Sequence, residues 1–160
     1  MLFRSRLSDH VVFMFDGDAA GQRAAARALE TAVAFASEKN RIDFVFLPQE
    51  HDPDSFVRAH GADALRDWVR QAKPLSAWLL DVASAERQLE FAEGRAAAVA
   101  EAQRLLKPMP AGPLRSQILR EAARRFDSSD VLRDDAVSPT APPQDSKRSE
   151  EHTSELQSRF

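Results

Sequence analysis

The sequence predicts an α/β fold: a parallel βαβ unit, a helical subdomain after it, and a disordered polar tail. Three observations carry this. Two short and nearly continuous apolar runs, residues 10–15 and 42–47, flank a segment with helical spacing. Such runs mark strands buried on both faces, joined by a crossover helix. Residues 62–126 are rich in alanine, leucine, arginine and glutamate at three- and four-residue steps, and from about residue 127 the chain turns polar and Pro/Ser-rich.

The first run, His10-Val11-Val12-Phe13-Met14-Phe15, is stopped by Asp16-Gly17-Asp18. The following segment, AAGQRAAARALETAVAFASEK, repeats Ala25, Leu29, Ala32, Val33 and Ala36 on one face, so an amphipathic helix is expected over all of it. The second run ends at Pro48. Strand, helix and strand in this order imply a right-handed crossover between parallel strands. Asp52-Pro53 opens the next helix, with Asp as N-cap and Pro in the first turn, and Gly61 ends it. ADALRDWVRQA is a further helix, Pro74 opens another over LSAWLLDVASAERQL, and residues 90–107 and 113–126 supply two more. The domain division expected is 1–61 for the sheet unit, 62–133 for the helical subdomain and 134–160 for a linker and a non-native tail resembling vector read-through.

Composition removes several functions. With no cysteine there is no disulfide, thiolate zinc site or cysteine nucleophile. No apolar run is long enough to span a membrane, and charges break the first fifteen residues where a secretory signal needs an apolar stretch. The net charge of −3 gives no overall basic surface for nucleic acid, though a local patch stays possible.

The chemistry lies in carboxylates. Asp16 and Asp18 follow the first strand, and Asp52 and Asp54 follow the second. In open parallel sheets ligands bind beyond the carboxyl ends of the strands. Four acids at one such edge repel unless a cation neutralises them, and hard oxygens suit magnesium or manganese. Two metals there can activate a hydroxyl and stabilise a leaving pyrophosphate, the arrangement of nucleotidyl transfer. Taken singly, Asp-Gly-Asp is also a common polar turn, and Asp52 also fits a helix cap with no ligand role.

The segments VVFMFDGDAAGQRAAARALETA, DFVFLP and HDPDSFVRAHG resemble, in order and spacing, the second half of the Toprim domain of bacterial DNA primases. KPLSAWLLDVA and PMPAGPLRSQILREAARRF resemble the first and last parts of that family's helical subdomain. The resemblance implies a partial Toprim fold with magnesium (or manganese) held by Asp16 and Asp18 as catalytic ligands. Asp52 and Asp54 would complete the cluster directly or through neighbours. Arg58 would face template or nucleotide phosphate, or else be a solvated helix-surface arginine. It implies primer synthesis on single-stranded DNA from nucleoside triphosphates, a replicative helicase as partner of the full-length protein, no membrane, and a cytoplasmic place at replication forks. The family's earlier Toprim glutamate, zinc ribbon, basic subdomain and helicase-binding domain are expected to lie outside this chain. Glu30 and Glu38, read as helical, cannot replace that glutamate. The chain alone is therefore expected to be inactive.

Two other readings compete. A phosphatase of the haloacid dehalogenase type would use Asp16 as nucleophile and Asp18 as acid/base, but Ala-Ala-Gly follows where that family has Thr or Val. A non-catalytic fold remnant is the other. His10, His51, His60 and His152 have no metal-ligand spacing. Trp68 and Trp78 are expected to pack in the core, as are Phe56, Val57 and Leu65. The arginines at 115, 120, 124 and 125 form a basic helix face.

Overall fold

The computed structural model describes residues 9–128, so the expected tail from 134 onward lies outside the described residues. The elements are β1 (His10–Phe15), α1 (Ala19–Ala32), β2 (Arg41–Phe46), α2 (Pro53–Arg70), β3 (Lys73–Pro74), α3 (Leu75–Ser84), α4 (Ala92–Leu106) and α5 (Pro113–Arg125). β1 and β2 pair in parallel from His10↔Arg41 to Phe15↔Phe46, as the βαβ reading requires. β2 is the central strand, because the two residues of β3 pair with its other edge in antiparallel sense.

Alternation along the strands puts Phe13, Phe15, Phe44 and Phe46 on one sheet face. Their rings stack across the pair, with centroids 5.4 Å apart for Phe13–Phe44 and 6.1 Å for Phe15–Phe46. Trp78 of α3 closes on this ladder at 4.7 Å from Phe46. One hydrophobic cluster then runs from Ala25 and Leu29 of α1 through Phe44 to Leu79, Leu80, Ala102, Leu106, Ile118, Leu119 and Phe126. On the opposite face Val45, with Leu47 and Phe56, is buried outside that cluster.

Several expectations are corrected. β1 is not buried on both faces. It stands at the sheet edge among the described residues, and its six positions are exposed or half-buried. α1 stops at Ala32 and tightens into a 3₁₀ turn, Val33–Phe35, instead of continuing to Lys39. Asn40 causes the stop: its Oδ1 accepts from the Ser37 N–H at 2.8 Å and its Nδ2 donates to the Phe35 carbonyl at 2.7 Å. Glu38 is consequently in a turn, where it accepts from the Leu114 N–H at 2.9 Å. That bond caps the start of α5 and holds the Glu38 carboxyl below the ordinary range. α3 ends at Ser84, and Glu86 adopts φ 59° where the sequence reading continued the helix to Leu89.

The break expected at Gly61 is present: the helical path of α2 is interrupted there with φ 85° and ψ 163°. The division proposed between residues 61 and 62 falls at this break, while the core is continuous across it. Phe56 is buried, Val57 and Leu65 are half-buried, and Trp68 remains 37% exposed. Trp68 is positioned by its indole, whose Nε1–H donates to the Phe46 carbonyl at 2.9 Å just beyond the short β3 pairing.

Candidate metal centre at the strand ends

The in-register parallel pair brings the carboxyl ends of β1 and β2 to the same level. The Leu47 N–H continues the ladder by donating to the Phe15 carbonyl at 2.9 Å. Immediately beyond, Gly17 lies so close to the other strand's exit that a Cβ there would stand 2.0 Å from the Leu47 carbonyl oxygen and 3.3 Å from the Gln49 nitrogen. The requirement at this glycine is close backbone approach, which only a missing side chain permits. Gly21 has the same role one turn into α1, where a Cβ would meet the Asp16 carbonyl oxygen at 2.0 Å. The two glycines press the Asp16–Asp18 turn onto both the β2 exit and the helix.

Asp18 is the N-cap of α1, and its Oδ1 accepts from the Gly21 N–H at 2.6 Å. One carboxylate oxygen is thereby fixed and the other left free to coordinate. Asp16, one residue past the strand, is exposed, as is Asp18. Both stand at the positive end of α1, which favours negative charge.

Asp52 caps α2 in a reciprocal box. The Ser55 N–H donates to Asp52 Oδ1 at 2.7 Å, and the Asp52 N–H donates to Ser55 Oγ at 3.0 Å. The bond from the Ser55 N–H holds the Asp52 carboxyl below the ordinary value. Asp54 forms an exposed ion pair with Arg58 one turn along the helix. So three of the four acids already serve local structure. Among the described residues no three carboxylate, histidine or cysteine side chains are grouped closely enough to hold a metal together. The oxygen donors present still fit magnesium. That ion keeps several waters and commonly takes only one or two protein carboxylates.

Two arrangements were missed in the sequence. Asp43, inside β2, is 1% exposed and accepts from Arg41 Nε at 2.6 Å, with His10 Nε2 at 2.8 Å from the same oxygen. Alternation along β2 turns this acid away from the phenylalanine ladder, a position the run DFVF conceals. His51 and His60, nine residues apart, bring their Nε2 atoms to 3.4 Å across the buried Phe56 ring. No helical or strand spacing signals that meeting, because a loop and a helix supply one histidine each.

Comparison with known proteins agrees with this architecture. A family model described as Toprim-like matches residues 1–57, and one described as the DnaB-helicase binding domain of primase matches residues 76–130. The DNA primase of Neisseria meningitidis is 41% identical over 110 residues, covering 68% of this chain and 19% of that protein. The DNA primase of Escherichia coli is 36% identical over 126 residues, covering 79% of this chain and 21% of that protein. A solved primase domain from Pseudomonas aeruginosa superposes with a TM-score of 0.72 at 37% identity, over 78% of this chain and 39% of that one. The chain belongs to the bacterial DNA primase family. It spans about a fifth of the length of the curated primases it matches, and it corresponds to part of the primase catalytic core. A primase catalytic domain solved with single-stranded DNA superposes with a TM-score of 0.69 at 34% identity, over 75% of this chain and 38% of that one.

One expectation is corrected by these matches. The sequence leads one to expect the helicase-binding region of primase outside the chain, whereas the match over residues 76–130 covers α3, α4 and α5. The reason is physical: amphipathic helices packed on a core carry no local motif for the partner they meet.

Proposed function

We propose that this chain supplies the carboxylate half of a magnesium- or manganese-dependent nucleotidyl-transfer centre in a replicative primase. That enzyme makes short RNA primers on single-stranded DNA from nucleoside triphosphates, in the cytoplasm at replication forks. The observation that carries the reading is the Asp16–Gly17–Asp18 turn, wedged by Gly17 against the Leu47 carbonyl at the carboxyl edge of a parallel pair. A divalent ion bound there supplies Lewis-acid stabilisation of phosphoryl charge.

The chain's own residues orient and tune that site. Asp16 offers an exposed carboxylate, and Asp18 a second whose free oxygen is aimed by its bond to the Gly21 N–H. Asp52 and Asp54 border the edge from α2 and add negative charge. Arg58 pairs with Asp54, both side chains being more than two-thirds exposed, so exchanging that partner for a nucleic-acid phosphate costs little. Helices α3 to α5 present the surface toward a replicative helicase, a role supported by the family match over 76–130.

Two carboxylates and their supporting turn do not make a polymerase. The chain alone is expected to make no primers in a template-directed assay with magnesium and nucleoside triphosphates. A chimera carrying residues 9–128 in place of the matching segment of the E. coli primase is expected to make them. Asp16→Asn in that chimera should lower the rate at least about 100-fold, the scale of losing several kcal/mol of transition-state charge stabilisation. Primer synthesis by the chain alone would overturn its inactivity. An Asp16→Asn chimera at full rate would overturn the assignment of Asp16, and release of phosphate from an aryl phosphate would point to the phosphatase reading.

A further inference from the structure

His51 and His60 approach in a geometry that a simple hydrogen bond does not require. Two nitrogens each about 2.0–2.1 Å from a tetrahedral zinc stand roughly 3.3–3.4 Å apart. The two Nε2 atoms here are 3.4 Å apart. Extending the same triangle through both imidazoles puts the ring centres roughly 5.2 Å apart, whereas rings meeting head-on would be nearer to about 5.7 Å. The observed centroid separation is 5.2 Å, with the rings at 85° to one another. Both separations match those of two imidazoles bound to one ion.

The surroundings prepare the pair. The Ser55 hydroxyl donates to the Asp52 carbonyl at 3.1 Å, which leaves its oxygen to accept. His51 Nδ1 lies 3.3 Å from that oxygen, within reach to donate to it. A donating Nδ1 leaves Nε2 with a lone pair, the outer-shell arrangement of metal-bound histidines. Phe56 is buried against both imidazoles, with ring centroids 5.7 Å from His51 and 4.8 Å from His60. Each ring is thus held before any ligand arrives. His60 is exposed, so an ion can reach its Nε2 from water.

We propose that His51 and His60 form a two-histidine site for a borderline transition-metal ion, zinc above all, with water in the remaining positions. Imidazole pairs select zinc, nickel or copper over magnesium, so this site and the carboxylate edge discriminate between ion classes. Bound metal ties the loop after β2 to the second turn of α2 and so braces the Asp52–Asp54 segment. The site does not depend on the nucleotidyl-transfer reading.

The test is calorimetric titration of zinc into the full chain at neutral pH, in the presence of excess magnesium. One zinc is expected to bind. His51→Ala and His60→Ala should each weaken it at least about tenfold, the scale on which lost metal-site residues act. Asp16→Asn should leave zinc binding unchanged. The His60→Gln variant, exposed and similar in size, guards against loss of fold, which far-UV circular dichroism checks. No zinc binding by the wild-type chain, or equal affinity in the His60 variants, would overturn the proposal. So would displacement of zinc by magnesium.

Discussion

Asp16 and Asp18 stand two residues apart, yet they are held by different forces. Asp18 is tied as a helix cap, while Asp16 depends on the backbone path that Gly17 and Gly21 permit. Gly21→Ala should be instructive for that reason. Alanine favours a helix by roughly 1 kcal/mol over glycine. Its methyl would nonetheless meet the Asp16 carbonyl at 2.0 Å, so the turn must shift. The expected net result is destabilisation of about 1–3 kcal/mol in urea denaturation, the usual cost of overpacking. Asp43 gives the opposite sign. Its Oδ1 is buried without a hydrogen-bond partner, while Arg41 and His10, which share the other oxygen, are 62% and 46% exposed. Removing the acid strands no buried charge, so Asp43→Val on this central strand should match or exceed wild-type stability by urea denaturation. At this scale the sequence announced the acids at the strand ends, since Asp-Gly-Asp and Asp-Pro-Asp interrupt apolar runs. It hid Asp43 and the His51–His60 pair, because both depend on partners brought from elsewhere in the chain.

Whole elements were read best where a local signal bounds them. Asp52 and Pro53 begin α2, Gly61 breaks it, and Pro113 opens α5. Ends set by distant or side-chain bonds were read badly. Asn40 terminates the α1 region, and the two residues of β3 exist only through pairing with Asp43 and Phe44. An ion-pair cluster adds to the hydrophobic contacts among the later elements. Asp81 of α3 pairs with Lys73 of β3 and with Arg125 Nη2 of α5 at 2.6 Å. Partial burial pushes the Asp81 carboxyl up, but the hydrogen bonds and charges of Lys73 and Arg125 outweigh it and hold the group below its ordinary value of 3.8. A depressed carboxylate contributes stability above the unfolded-state value and loses it as pH falls through the folded-state value. Asp81→Asn should therefore lower stability at neutral pH and leave it little changed well below pH 3.8. Denaturation midpoints measured from pH 2.5 to 7 should converge for the two proteins at the acid end.

At the scale of the molecule, one hydrophobic cluster joins the βαβ unit to the helical half, so α3 to α5 act as the wall on which the sheet is built. Leu29, Leu79, Leu106 and Phe126 all sit in it at 3% exposure or less. This continuity was only half legible. Periodicity located each helix, but nothing local says that the start of α5 is tied through Leu114 to Glu38 in the turn before β2. The wall's consequence is functional, because it fixes the parallel pair whose carboxyl edge carries Asp16 and Asp18. The most direct test of that edge is a titration of manganese into the isotopically labelled chain, read by paramagnetic broadening of backbone amide signals. Broadening is expected to be strongest at residues 16–21 and 47–55 and to be abolished by Asp16→Asn. Broadening centred elsewhere, or unchanged in Asp16→Asn, would contradict a metal site at that edge.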